Sequence, residues 1–214
     1  NSPAFYFSRG LVYSGLRDYP KAIEDFKESV KMDSSNPEGY INLATALFYL
    51  KDNEEAQKQL NKALEMDEEN VDALNLQALL QTRNGDYQEA VESINEALRR
   101  TSNPYFYNNR GYIYLMMNEL EKGAEDINHS LVMDETNAWA HRNKGIYFYL
   151  TENYAEAERM LVKSLELDKS IELVHYYLGL TYEKMGRQNE ACEHLAKSAA
   201  IGEKEASEKL QAFC

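Results

Sequence analysis

An all-α fold of stacked helical hairpins follows from three observations. First, small residues recur at Gly10, Ala44, Ala78, Gly111, Gly145 and Gly179, with spacings of 34, 34, 33, 34 and 34 residues. Two further sets keep the same step: Ala22, Ala56, Ala90, Gly123, Ala157 and Ala191, then Ser29, Ala63, Ala97, Ser130, Ser164 and Ser198. Second, each interval holds two stretches of helical periodicity parted by a polar turn. Third, the four prolines fall at helix starts and none falls in a helix interior. Self-similarity at a fixed period decides the architecture before any single helix is argued. It predicts one domain over residues 1–214, with copies at about 3–36, 37–70, 71–103, 104–137, 138–171 and 172–205, and a closing helix at about 204–213. Stacked repeats make long surfaces more readily than active sites.

The elements follow in order. In the first copy Ser2 precedes Pro3, and in the second and fourth Asn36 precedes Pro37 and Asn103 precedes Pro104. A capping side chain followed by proline starts a helix, because the missing N–H would have had no intrahelical partner. Within the second copy, Tyr40, Leu43, Ala44 and Leu47 stand at i, i+3, i+4, i+7, and Ala56, Leu60, Ala63 and Leu64 repeat the habit in its second half. Lys51-Asp52-Asn53 supplies the turn and a candidate N-cap. The other copies use Arg17-Asp18-Tyr19, Gly85-Asp86-Tyr87 and Glu152-Asn153-Tyr154, with Pro20 in the first turn of the second helix. Glycine costs about 1 kcal/mol against alanine inside a helix, so its recurrence signals close helix approach. The facing large residues are Phe26, Leu60, Ile94, Ile127, Leu161 and Leu195. Past the sixth copy, Ile201-Gly202-Glu203 reads as a turn, and Ala206 to Phe213 as a cap with Leu210 and Phe213 inward.

This 34-residue helix–turn–helix, with small residues at fixed places and turns such as Gly85-Asp86-Tyr87-Gln88-Glu89-Ala90, resembles the tetratricopeptide repeat. The resemblance covers essentially residues 3–205. It implies a right-handed α-solenoid superhelix that binds a protein or peptide in a concave groove, without catalysis or cofactor. The opening Trp of the family pattern is replaced by Tyr6, Tyr40, Leu74, Tyr107, His141 and His175, and Gln81 stands for the usual Tyr, where looser packing is expected.

In the family the first helices line the groove. The matching places here hold Asn42, Tyr49 and Asn75, then Asn108, Asn109 and Tyr112, then Trp139, Arg142, Asn143 and Tyr149, and finally Tyr176. Asn42, Asn109 and Asn143 share one place, where an amide can both donate to and accept from an extended backbone. Aromatic side chains around them bring the content of interface hot spots, although about half are expected to pack only helix to helix. The Lys, Asn and Arg set by which relatives clamp acidic chaperone tails is not assembled in any three consecutive copies. Two alternatives stand beside peptide binding: self-association through the groove or the solenoid ends, and a regulatory module of a larger enzyme or sensor.

The remaining chemistry is sparse. There is no phosphate-cradling glycine loop, no Cys-x-x-Cys and no Gly-x-Ser-x-Gly. No metal is expected: His141 and His175 read as core residues, and Asn128-His129-Ser130 as a chance sequon within a helix. Arg9 and Arg110 each precede an aspartate by 16 residues, Asp25 and Asp126, so the folded-back hairpins predict two structural ion pairs. The formal charge of −13 disfavours nucleic acid and anionic membranes as partners. No apolar run reaches the ~20 residues of a membrane span. A missing secretory leader carries no weight, since a trimmed chain would look the same. Cys192 and Cys214 come to similar height on the last helices. Two free thiols are the default expectation, matching the cytoplasm, and a bridge is the alternative, matching an oxidising compartment.

Overall fold

The structure is a computed structural model that describes residues 2–214. Among them every regular element is an α-helix, and the chain divides into two units, Asn1–Ser102 and Asn103–Cys214. The first holds three hairpins: α1 (Pro3–Gly15) with α2 (Tyr19–Met32), α3 (Pro37–Tyr49) with α4 (Asn53–Met66), and α5 (Val71–Asn84) with α6 (Tyr87–Arg100). The second pairs α7 (Pro104–Met116) with α8 (Leu120–Met133), α9 (Ala138–Leu150) with α10 (Tyr154–Leu167), and α11 (Val174–Lys184) with α12 (Gln188–Ala200), and closes on α13 (Lys204–Phe213).

The helix starts show why these residues fold this way. The side chains of Asn36 and Asn103 accept from the N–H of Glu38 and Tyr105 at 3.0 and 2.9 Å, each followed by its proline. Asp18, Asp52 and Asn153 cap the second helices in the same manner, whereas Asp86 makes no side-chain cap bond. One residue in each hairpin turn is left-handed: Arg17, Lys51, Gly85, Asn118, Glu152 and Gly186 have φ between 59° and 90°. That geometry lets the N–H groups past the helix end reach back to the last orphan carbonyls.

Each unit's core sits between the helices of its hairpins. Phe26, Leu60, Ile94, Ile127, Leu161 and Leu195 are fully buried, and the small residues facing them are buried. A Cβ on Gly10 would lie 2.6 Å from Phe26, and one on Gly145 2.6 Å from Leu161, so these glycines are fixed by volume. The serines of the third recurring set add polar ties. Ser29 donates to the carbonyl of Pro3 at 3.1 Å and Ser164 to that of Ala138 at 2.8 Å, each joining the two helices of one hairpin. At Gln81, Ser93 donates to the Oε1 at 2.8 Å, a side-chain bond between the two helices of the hairpin.

The two arginine–aspartate pairs lie within their hairpins. Arg9 donates through Nε and Nη2 to Asp25 at 2.7 Å each, and Arg110 does the same to Asp126 at 2.6 and 2.7 Å. Asp25 and Asp126 are buried, and the fork geometry supplies two parallel charge-assisted bonds in each case. The bond to Asp126 holds the Arg110 guanidinium above its already high ordinary value. At the C-terminus the sulfurs of Cys192 and Cys214 are bonded at 2.08 Å rather than free, fastening α13 to α12. Ala206 is fully buried and Phe213 packs against the core of the second unit.

Candidate binding face

In the first unit, Asn42, Tyr49 and Asn75 lie together. They line a cavity of about 210 Å³ between α3 and α5, with Ile41, Thr45, Phe48, Leu76 and Leu79 as its floor and walls and Glu38 and Asp72 also on its lining. Tyr49 stacks on Tyr19 with ring centres 5.0 Å apart, and the Asn42 amide donates to the Glu38 carbonyl at 2.9 Å, so both side chains are held in place. Arg83 steadies the far end. Its guanidinium carbon lies 3.6 Å from the Phe48 ring centre, and it donates to the Phe48 carbonyl at 2.7 Å. The sequence signal for Arg83 is only a basic residue in the last turn of α5, ordinary helix-end chemistry. A larger open cleft of about 690 Å³ runs along α4, but flexible charged chains such as Lys58, Lys62 and Glu65 line it.

In the second unit three expected groove residues are interior. Asn143 is 0% exposed, Asn108 1% and Arg142 6%, so none stands ready as an open backbone contact. The Asn143 amide donates to Asn108 Oδ1 at 2.7 Å, and Arg142 Nε donates to Asn143 Oδ1 at 2.9 Å. Neighbouring first helices here satisfy each other's amides, because a buried amide without a partner costs about 1–3 kcal/mol. Asn109 is half-buried and accepts from Asn108 at 3.3 Å. Tyr112, Trp139, Tyr149 and Tyr176 remain partly exposed. Tyr149 and Tyr176 both meet Tyr177 edge-on, at 5.7 and 5.4 Å. Burial pushes the phenols of Tyr149 and Tyr176 up, and that of Tyr177 most, so all three stay neutral near physiological pH.

The histidines are placed differently from one another. His141 donates through Nε2 to the Glu135 carbonyl at 2.9 Å, while its Nδ1 is enclosed without a partner among the described residues. His175 and His194 face each other across α11 and α12 with their Nδ1 atoms 3.0 Å apart. Among the described residues no group of three or more His, Cys, Asp or Glu is arranged to hold a metal ion. Burial lowers both imidazoles. His175 is lowered next by Lys197, and His194 by His175 and Lys197, down to about 4, against partial compensation from Glu190, Glu193 and Glu203. A folded value below the unfolded one of about 6.5 means that the unfolded chain takes up the proton first. The pair's contribution is therefore complete above pH 6.5 and is lost as pH falls towards 4. Discounted for partial exposure, the expected loss is about 1–2 kcal/mol. Hydrogen exchange of α11 and α12 at pH 7 and pH 4.5 checks this, with His194→Gln removing most of the difference.

The comparisons with known proteins agree with this architecture. Sequence profiles of the tetratricopeptide repeat match residues 3–36, 41–105, 83–138 and 174–199. The chain belongs to the tetratricopeptide-repeat family, whose helical hairpins serve as protein–protein interaction scaffolds and whose fold is typically non-catalytic. Among solved structures, the Cut9–Hcn1 hetero-tetramer of the APC/C aligns with a TM-score of 0.81 at 18% identity, over 98% of this chain and 42% of that one. The chain thus spans less than half the length of that relative. PilW, a type IV pilus biogenesis factor, aligns with a TM-score of 0.71 at 18% identity over 98% of this chain and 97% of its own. YrrB, described as a tetratricopeptide-repeat protein with an unusual peptide-binding site, aligns with a TM-score of 0.51 at 20% identity, covering 87% and 97%. At these identities the likeness is one of fold. No curated protein matches the chain in sequence. Among the described residues no helix is long and apolar enough to cross a membrane.

Proposed function

We propose that the chain is a non-catalytic scaffold that holds an extended segment of a partner protein against the first helices of its hairpins. The observation that carries this reading is the cavity between α3 and α5, where the amides of Asn42 and Asn75 sit beside Tyr49, Phe48 and Leu79. Amides recognise backbone and rigid aromatics supply contact area at low entropic cost. In the second unit Asn109, Tyr112, Trp139, Tyr149 and Tyr176 offer the same chemistry, and YrrB shows a peptide-binding site described on a related fold. The bridge between Cys192 and Cys214 supports maturation in an oxidising compartment. To test the groove, peptides would be selected by display on the native chain and their affinities remeasured on variants. Asn42→Ala with Tyr49→Ala is expected to weaken them at least tenfold, and Lys58→Ala with Asn61→Ala on α4 to leave them unchanged. Loss through the α4 variant alone would overturn the reading.

Self-association remains the second reading, and one surface favours it. On α1 Val12 is 60% exposed and Phe5 also open, and Leu16 just past its end is 73% exposed, although Ala46 and Leu80, which hold Val12's place in the next two repeats, are buried. Light-scattering mass at two concentrations, with and without Val12→Glu, decides it. A concentration-dependent mass abolished by that substitution would favour assembly over peptide capture.

A further inference from the structure

Arg142 differs from the other hairpin arginines. Arg9, Arg110 and Arg187 each hold a carboxylate with two bonds, to Asp25, Asp126 and Glu158. Arg142, at 6% exposure, makes no ion pair among the described residues, although the chain carries 36 acidic side chains. Its guanidinium carbon lies 4.9 Å from the ring centre of Trp139, one turn earlier on α9, and 4.9 Å from that of Tyr112 on α7. Nε is taken by Asn143, and Nη1 reaches the Glu172 carbonyl only at 3.4 Å. Nη2 has no hydrogen-bond partner among the described residues. Nor is it sealed in, because the one fully enclosed side-chain nitrogen or oxygen without a partner among them is His141 Nδ1.

Nearby acids do not fill the gap. Glu172 and Glu203 are close enough to favour the charge, but burial outweighs them and pulls the guanidinium below its ordinary value. The Glu203 carboxylate is already engaged by the Leu173 N–H at 2.6 Å and by the Ser198 hydroxyl. An arginine stays protonated even so. The chain therefore keeps a desolvated cation with both Nη2 N–H bonds unspent, at the edge of a surface bounded by two partly exposed rings.

We propose that Arg142, bracketed by Trp139 and Tyr112, is a subsite for a carboxylate on the partner segment, supplied by an aspartate or glutamate side chain. The inference rests on the groove reading above and assigns the partner's chemistry to one position. The desolvation of the cation is already met by the fold, so an arriving carboxylate meets a donor that needs no further ordering, and the charge-assisted bond forms at low entropic cost. The flanking rings receive the methylenes of the acidic side chain. A phosphate dianion fits less well, because beyond Nη2 the guanidinium's neighbours are aromatic faces that leave its other oxygens without donors. The net charge of −13 opposes long-range attraction of an acidic segment, so the preference rests on this local contact.

Trp139 is the only tryptophan, so intrinsic fluorescence reports directly on the subsite. The probes are capped octapeptides of neutral background carrying one Glu, the same peptides with Gln, and the same with phosphoserine, titrated at constant ionic strength. A saturable change for the Glu peptide, at least tenfold tighter than for Gln and lost in Arg142→Gln, is expected. Arg142→Lys, which keeps the charge without the planar fork, is expected to retain part of the preference and serves where the Gln variant fails to fold by circular dichroism. Equal responses to Glu and Gln, or a Glu preference that survives Arg142→Gln in a folded protein, would overturn the subsite, as would tighter binding of phosphoserine. If peptides bind through Asn42 and Tyr49 without any Glu preference, this inference fails and the groove reading stands. If no peptide binds at all, both fail.

Discussion

Gly111→Val is expected to destabilise the α7–α8 hairpin by about 3 kcal/mol, the upper range for overpacking, while Gly15→Ala stabilises α1 by up to about 1 kcal/mol. Both substitutions add a side chain to a helical glycine, and both gain helix propensity. They differ in what the new Cβ meets. At Gly111 it would lie 2.8 Å from Ile127 Cγ1, 3.0 Å from the Gly123 carbonyl oxygen and 3.2 Å from the Ile127 nitrogen. The last two are backbone, so no rotamer change relieves them, and the helices must part. Gly123 presents the mirror case, its Cβ position 3.0 Å from the Gly111 carbonyl. At Gly15 nothing lies within 4 Å, so the propensity gain is uncontested. Urea unfolding followed by circular dichroism reads the two signs. Hydrogen exchange should place the first loss in α7 and α8, since repeat arrays need not unfold in one step. Shifts of the same sign would refute the volume account.

That glycine pair also shows why the repeat was readable. Packing between two helices imposes a volume at one place per copy, and the same volume recurs wherever the same contact recurs. The three small sets and their large opposites therefore write the hairpins into the sequence directly. The arginine–aspartate pairs were readable for a related reason, because a 16-residue offset places both groups at one level of a hairpin. The turns were not. Only Gly85 and Gly186 of the six left-handed turn residues are glycine, and Arg17, Lys51, Asn118 and Glu152 carry the strain instead. Left-handed geometry costs a side chain about 1–2 kcal/mol, which tertiary packing can absorb for any residue.

The candidate face was half legible. Positions taken from the repeat phase put Asn42, Tyr49 and Asn75 on a common cavity, where the structure has them. The same phase assigned Asn143 and Asn108 to an open face, yet they bond to each other in the interior. Phase gives the direction of a side chain on one helix and says nothing of how deeply the next helix covers it. Amides make the error easy, because an asparagine looks the same in sequence whether its partner is water or another asparagine. Arg142 belongs to the same class: its place predicted exposure, and its burial without a carboxylate is visible only once α7, α9 and α11 are assembled.

Reducing the Cys192–Cys214 bridge, or replacing both residues with serine, is expected to cost α13 about 3 kcal/mol of protection, the chain-entropy value for a loop of roughly this length. The two residues are 22 apart, and their bond restricts the unfolded segment that spans the turn and the cap. Isolated, α13 is too short to persist in water, its ten residues falling below the dozen or so that even good helix formers need. Its other ties are modest: the buried Ala206, the packing of Phe213, and the Lys209–Glu183 pair at 2.8 Å. Glu203 adds a stronger one at the start of the helix, and it should survive reduction because its carboxylate binds Leu173 and Ser198 rather than a group in α13. The predicted result is therefore graded. Hydrogen exchange should rise most from residue 206 to the end, less at Glu203, and little in α9 and α10. Uniform loss across the second unit would mean that the bridge supports the whole stack, and no change in α13 would mean that apolar packing alone holds the cap.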